Sequence, residues 1–317
     1  MVRIEHRHEL ARTDADAVES LVADAATFRG YRTVPDQLWL QVRAPANSAV
    51  HLVAIDDRDG STVVGYAQLD RGHESCTLGV VVPFGIEDRQ GVVASLASAA
   101  LHQRDLDGGA TLRWWVLGDD HDADEVAASL GFGDVRLLRQ LRVPLPLPAH
   151  GSGAAVSVRP FRQGTDEPAW LEVNNAAFAW HAEQGGWTRA TLDQREREEW
   201  FDPAGFLLHE IEGRLAAFCW TKVHSDTTPA LGEIYVIAVH PDFHGRGLGR
   251  ALTEAGLDHL WRRGIGTGML YVDAANTAAA GLYHSMGFTT FRTDRAHVMG
   301  AAPASDASSS SRTGDRR

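Results

Sequence analysis

The strongest constraint on this chain is that its two halves repeat one another. Leu96 and Leu252 open stretches of equal length that end on Leu130-Gly-Phe132 and Met286-Gly-Phe288, and Trp114-Trp-Val116 stands where the second stretch has Leu270-Tyr-Val272. Three landmarks at one spacing, without a gap, describe a tandem duplication. A Pro/Gly/Ala stretch, Pro144-Leu-Pro-Leu-Pro-Ala-His-Gly-Ser-Gly153, breaks the chain near its middle and suits an extended linker. With 317 residues and 44% apolar content, the chain can build two α/β domains of about 150 residues each. The expected division is a first domain over 1–147, a linker over 148–154, a second domain over 155–300 and a Ser-rich tail over 301–317. The tail cannot bury apolar surface and reads as disordered.

In the second half, the apolar patterning predicts strands over Val156–Phe161, Gly205–Ile211, Leu215–His224, Leu231–Val239, Gly268–Asp273 and Thr289–Val298. It predicts helices over Trp170–Ala179, Leu248–Arg263 and Thr277–Met286, with a Glu-Gly turn between the second and third strands. Along Leu231–Val239, strict alternation would put Glu233, Tyr235, Ile237 and Val239 on one face.

The net charge of -12 argues against a nucleic-acid partner, and no basic stripe with interleaved aromatics interrupts it. An acidic protein also repels a polyanionic ligand at long range, so a site for one must be locally electropositive. No window approaches a membrane span, and the N-terminus lacks the apolar core of a signal peptide. Cys76 and Cys219 are too few for a disulfide framework and read as reduced, buried thiols of a cytoplasmic protein. The 15 histidines show no metal-ligand spacing, so no metal is expected. Lys222 is the single lysine in an arginine-rich chain.

The densest chemical signal is Val239-His-Pro-Asp-Phe-His-Gly-Arg-Gly-Leu-Gly-Arg250. A strand ends at Val239 and a helix starts near Leu248. Glycines 245, 247 and 249 let the backbone turn tightly and expose successive N–H groups, which the helix dipole backs as an anion site. Arg246 and Arg250 add positive charge there. The loop is neither a P-loop nor a dinucleotide-binding turn, since the residues following its glycines are wrong for both.

At this point the chain resembles the GNAT superfamily of N-acetyltransferases. The resemblance is carried by Val239-x-Pro241, by His244-x-x-Gly247-x-Gly249, and by Asn276-x-x-Ala279-x-x-Leu282-Tyr283-x-x-x-Gly287-Phe288. Histidine at 244 replaces the family's usual Gln or Arg. The resemblance implies an α/β (α+β) fold of two tandem domains, each a mixed twisted sheet flanked by helices. It also implies acetyl-CoA as co-substrate, held by Ile237, Ala238, Val239, His244, Gly245, Arg246, Gly247, Leu248, Gly249, Arg250 and Asn276. By the same pattern Glu233 is the general base, the Val239 amide the oxyanion donor, and Tyr283 the acid for the thiolate. A carboxylate among the apolar neighbours of Glu233 is expected to have a raised pKa.

The first half has Ser75 opposite Glu233, Ala127 opposite Tyr283, Asp120 opposite Asn276 and Val93 opposite Gly249. It is therefore expected to do no chemistry, while Val80, Val81, Val82, Arg89 and Gly91 remain in place as candidate coenzyme A contacts. A sharper resemblance is to the mycothiol synthase family, on Trp170–Phe178, His181–Trp187, Trp200–Leu208 and Phe218–His224. That family's pattern implies acetylation of the cysteinyl amine of a glucosaminyl inositol, with Asp36, Glu183, Lys222, Glu233 and Tyr271 as acceptor contacts; a monomer is expected. Two alternatives stay open at this stage. One is a tandem acetyltransferase for another small amine or a protein N-terminus; the other is a non-catalytic acyl-CoA sensor, against which intact Glu233 and Tyr283 argue.

Overall fold

The computed structural model describes residues 2–43, 49–58, 60–72, 75–148, 156–179, 185–225 and 227–301. Within 2–43, the side chains of Asp36, Gln37, Leu40 and Arg43 lie outside the described set. The expected linker and tail fall almost wholly outside it as well.

The chain forms two compact units, one of Met1–Leu138 with Thr293–Arg317 and one of Arg139–Arg292. In the first, strands β1 (Val2–Arg7), β2 (Ala49–Asp56), β3 (Val63–Arg71), β4 (Ser75–Val81) and β5 (Thr111–Val116) are neighbours in that order. Helices α1 (Arg12–Arg29), α2 (Asp36–Arg43), α3 (Arg89–Leu106) and α4 (His121–Ser129) flank them. Residues of β6 (Val135–Pro144) from Arg139 onward belong to the second unit. That unit continues with β7 (Arg159–Pro160), α5 (Glu167–Ala177), α6 (Arg189–Glu196), β8 (Phe206–Ile211), β9 (Arg214–His224), β10 (Leu231–Val239), α7 (Leu248–Arg262), β11 (Thr267–Asp273) and α8 (Thr277–Ser285). The final strand, β12 (Thr289–Met299), runs antiparallel to β5 from Arg295↔Val116 to Met299↔Leu112.

The repeat seen in the sequence is thus a repeat in topology. β4 is antiparallel to β3 and parallel to β5, and β10 is antiparallel to β9 and parallel to β11. The compact units are offset from the sequence halves by one strand, because each closing strand is built into the other unit. Asp294 accepts the Gly118 amide at 2.9 Å and His297 Nε2 lies 2.8 Å from Asp124 Oδ1, tying β12 to the first unit.

The second unit has one core on each face of its sheet. Leu252, Leu257 and Leu260 recur at helical spacing and seat α7 against Cys219, Ile234 and Leu270. Gly256 lets that helix approach closely: a Cβ there would meet Cys219 Sγ at 2.6 Å and Ile234 Cδ1 at 2.8 Å. On the other face α5 packs Trp170 and Val173 on Phe206, Phe218 and Trp220. Phe206 and Trp220 stack at 4.3 Å, and Trp170 meets Trp220 edge-on at 5.9 Å. The β8–β9 hairpin turns through Glu212 (φ 52) and Gly213 (φ 76), as a two-residue turn matched to strand twist requires.

Candidate active site

The site is organised by β10. Its register with β9 shifts between Ile234 and Val236, so Tyr235 is a bulge residue. The bulge overturns the single-face expectation. Ile237 and Val239 pack into the α7-side core, whereas Val236 and Ala238 join the α5-side core and Tyr235 touches Trp200 and Trp220. Toward β11 the parallel pairing consists of Gly232↔Gly268 and Glu233↔Met269. Beyond Glu233 that ladder ends, and the second half of β10 runs unpaired on its β11 side, leaving a slot in the ladder.

α7 begins at the foot of that slot. Gly245 (φ 76) and Gly247 (φ 75) are left-handed, Gly247 is the N-cap, and no side chain caps the helix. Its first amides are therefore open to an anion, with the helix dipole behind them. Leu248 turns its side chain into the core and offers only its backbone, while Gly249 follows it in the first turn. Arg246 lies over Phe243 at 5.2 Å, and Arg250 donates to Ser285 Oγ and lies 3.7 Å from Glu254. His244 offers a side-chain donor in place of the Gln or Arg it replaces, its Nε2 lying 3.0 Å from the Val239 carbonyl oxygen. Asn276 caps α8, accepting the Ala279 amide at 3.1 Å.

Tyr283, on α8, is 8% exposed and packs on Phe288 in the α7-side core. Burial, with the Cys219 thiol nearby, pushes its phenol up to about 12, so it keeps its proton through the neutral range.

Glu233 is 7% exposed. It lies opposite Lys222 in the β9–β10 register, so both face the α5 side. The apolar surroundings expected for its carboxylate are interrupted by His224, whose Nε2 lies 2.7 Å from Glu233 Oε2. Lys222 Nζ is held 4.9 Å above the Trp200 ring and 5.8 Å from that of Tyr235, a cation–π cradle. Tyr271 stands two residues beyond Met269, the partner of Glu233, and so shares their face. Its hydroxyl accepts from Gln140 Nε2 at 2.7 Å and Arg292 Nη2 at 3.2 Å. Asp36 starts α2, but its side chain lies outside the described residues, as does all of Glu183.

The structure thus brings Glu233, Lys222 and Tyr271 to one face, and Val239, the glycine loop and Tyr283 to the parted strands and the α7–α8 side. Sequence reasoning missed His224, Trp200, Tyr235, Gln140 and Arg292. His224 was within reach of it, being two residues from Lys222 on the same strand. Gln140 was not, since its strand comes from the other half of the repeat.

The first unit differs at each matching point. β4 stays paired with β5 from Ser75↔Thr111 to Gly79↔Trp115. Ser75 accepts from Arg113, and Asp88 caps α3 by accepting the Gly91 amide at 3.3 Å. Arg89 donates to Asp120 (2.5 Å), Asp122 (2.6 Å) and the Val82 carbonyl (3.1 Å). The cavity lined by Val80, Val81, Val82, Arg89 and Asp120 measures about 20 Å³.

A parted parallel pair, an uncapped glycine-rich helix start and a buried carboxylate–phenol set define an acyl-CoA-dependent N-acetyltransferase. The chain matches the Acetyltransferase (GNAT) family over residues 174–288. Its fold is shared with a GCN5-related N-acetyltransferase from Sphaerobacter thermophilus at TM-score 0.74 and 22% identity, covering 95% of this chain and 96% of that one. It is shared too with a tandem GNAT protein from the clavulanic acid biosynthesis pathway, at TM-score 0.69 and 18% identity, covering 95% and 100%. Over 298 residues the chain is 45% identical to the mycothiol acetyltransferase of Streptomyces coelicolor, covering 92% of this chain and 93% of that protein. It is 43% identical over 298 residues to that of Thermobispora bispora, covering 92% and 98%. The chain belongs to the mycothiol acetyltransferase family.

Proposed function

We propose that this protein transfers an acetyl group from acetyl-CoA to the cysteinyl amine of 1D-myo-inositol 2-(L-cysteinylamino)-2-deoxy-α-D-glucopyranoside, giving mycothiol. The acceptor assignment is carried by the likeness to mycothiol acetyltransferases, which runs through both units. The chemistry rests on the second unit.

The amides of Gly245–Gly249, with Arg246 and Arg250, suit the pyrophosphate of acetyl-CoA, and the slot beside Ile237, Ala238 and Val239 suits its extended arm. Glu233 takes the proton of the acceptor ammonium, directly or through a water, so that the nitrogen lone pair can attack the thioester carbonyl. The Val239 amide donates to the oxygen that gains charge as the C–N bond forms. As the tetrahedral intermediate collapses, the nitrogen releases its surplus proton to solvent, the C–S bond breaks, and Tyr283 donates its phenolic hydrogen bond to the departing thiolate. A phenol at about 12 is a weaker acid than a thiol near 8.5, so its contribution is hydrogen bonding to the thiolate rather than complete transfer beforehand. Lys222, Tyr271, Glu183 and Asp36 are the acceptor contacts of this reading. The first unit carries no chemistry in it, and the reaction runs in the cytoplasm without a metal.

The test uses purified protein, acetyl-CoA and the cysteinyl glucosaminyl inositol, followed by mass spectrometry of the small molecules. A time-dependent N-acetylated product, faster than with free cysteine or a peptide amine, supports the acceptor. No product, with coenzyme A binding retained, would overturn the acceptor and leave the acetyltransferase class in place.

A further inference from the structure

We propose that His224 is a positioning residue for the general base, fixing which of the Glu233 oxygens faces the acceptor. The inference rests on Glu233 being the base. His224 Nε2 and Glu233 Oε2 are 2.7 Å apart, with side chains 12% and 9% exposed. A carboxylate only accepts, so the contact is an Nε2–H donor on Oε2. That leaves Oε1 free for the acceptor nitrogen or an intervening water.

The arrangement is built into the sheet rather than borrowed from a loose side chain. Glu233 and Lys222 are register partners, and His224 is the diagonal neighbour on the same face of β9. Thr227 Oγ1 donates to the His224 carbonyl oxygen at 3.0 Å, pinning the strand end that carries the ring. Among the described residues, the other titratable groups on this face are Lys222 on β9, Tyr235 on β10 and Tyr271 on β11, with Arg142 and Arg292 beside Tyr271. From α5, the buried Glu167 is paired with Arg189 at 3.1 Å. The histidine thus holds one carboxylate oxygen in a fixed direction through a single donor. Lys222 acts differently: its Nζ is engaged with the Trp200 and Tyr235 rings.

The experiment is a cycle of wild type, H224F, E233Q and the double variant, each assayed for kcat/KM with the full chain. If His224 acts through Glu233, H224F lowers kcat/KM by roughly ten- to hundredfold, with the KM for acetyl-CoA unchanged. The double variant is then no slower than E233Q. H224Q, which keeps an N–H donor at similar reach, recovers most of the rate. That recovery by a donor-keeping side chain, with the loss in H224F falling on kcat and not on the KM for acetyl-CoA, is a pattern a purely structural role would not produce. Independent, multiplying losses in the double variant, or no recovery in H224Q, would overturn the proposal. If H224F does not fold, H224A takes its place in the cycle, with H224Q kept as the donor-retaining control. Full activity in E233Q alone would remove the base assignment itself, and that arm separates the two failures.

Discussion

Replacing Gly247 by alanine separates what the loop does for folding from what it does for the cofactor. Gly247 sits at φ 75 with nothing within 4 Å of where a Cβ would stand, so the substitution meets strain but no clash. Moving an L-residue into the left-handed region costs about 1–2 kcal/mol. Against a domain stability of about 5–15 kcal/mol, the variant stays folded, and its melting temperature falls by roughly 2–8 °C. Gly264 is the matched control. It lies just beyond the other end of α7 at φ 84, also with nothing within 4 Å, and carries the same strain. The two differ in position. The Gly247 Cβ would stand at the uncapped helix start, where the amides converge, and would displace at least one charge-assisted hydrogen bond to a phosphate. Such a bond is worth about 1.5–3 kcal/mol, which is roughly a ten- to hundredfold change in Kd. Calorimetric titration with coenzyme A, run beside thermal melts, therefore gives similar melts for G247A and G264A and weakened binding for G247A alone. Equal affinity in the two variants would refute the placement of the pyrophosphate at this loop.

Tyr283→Phe should lower kcat by roughly 10²–10³-fold with little change in the KM for acetyl-CoA; a loss under about twofold in a thiol-release assay would remove Tyr283 from the reaction. Because its phenol lies near 12, any alkaline limb of kcat below pH 10 should persist in that variant. His51 Nδ1 lies 2.6 Å from Tyr66 Oη, which donates to Gln68 Oε1, and burial lowers the His51 pKa from 6.5. The unfolded chain takes up this proton as pH falls through 6.5 while the folded chain resists, so stability is complete above pH 6.5 and is lost below it. Melts between pH 8 and pH 5 should show this slope, and H51Q should flatten it; an unchanged slope would clear His51. Coenzyme A titration of the wild type should show one tight site per chain, since a cofactor in the first unit would have to displace Asp120 and Asp122 from Arg89; two equal tight sites would refute this.

The elements of the second unit were legible because most carry their own signal. α7 has its apolar spacing and glycine start, β8 and β9 have the Glu-Gly turn, and α8 has the Asn276 cap. α6 was not: Leu192 is its one buried residue, so it has almost no apolar stripe to read. The bulge at Tyr235 was hidden for a different reason. A bulge reverses the alternation of faces, and along the nearly all-apolar run Ile234–Val239 that reversal leaves no trace until the register with β9 is in place. The offset of the closing strands was hidden likewise, because β6 and β12 look alike as strands and differ only in which sheet they complete. Of the site, the backbone-driven parts were readable from glycines and capping residues. The partners of Glu233 and Tyr271 depended on cross-strand contacts that no local pattern encodes.

The duplicated sheet also explains why one copy opens and the other does not. In the second unit the extra residue at Tyr235 is held by aromatic contacts, with Trp200 at 4.8 Å and Trp220 at 5.3 Å. A bulge adds twist to the strand that bears it, and here pairing with β11 ends at Glu233, before the bulge. Thr77 occupies the matching place in the first unit. There β4 keeps an unbroken register with β3, from Tyr66↔Val81 to Arg71↔Cys76, and stays on β5 as far as Gly79. The slot, the base at its edge and the clamp that maintains the bulge therefore form one structural unit. In the copy without a bulge, Arg89, Asp120 and Asp122 neutralise one another where the second copy keeps an open helix start.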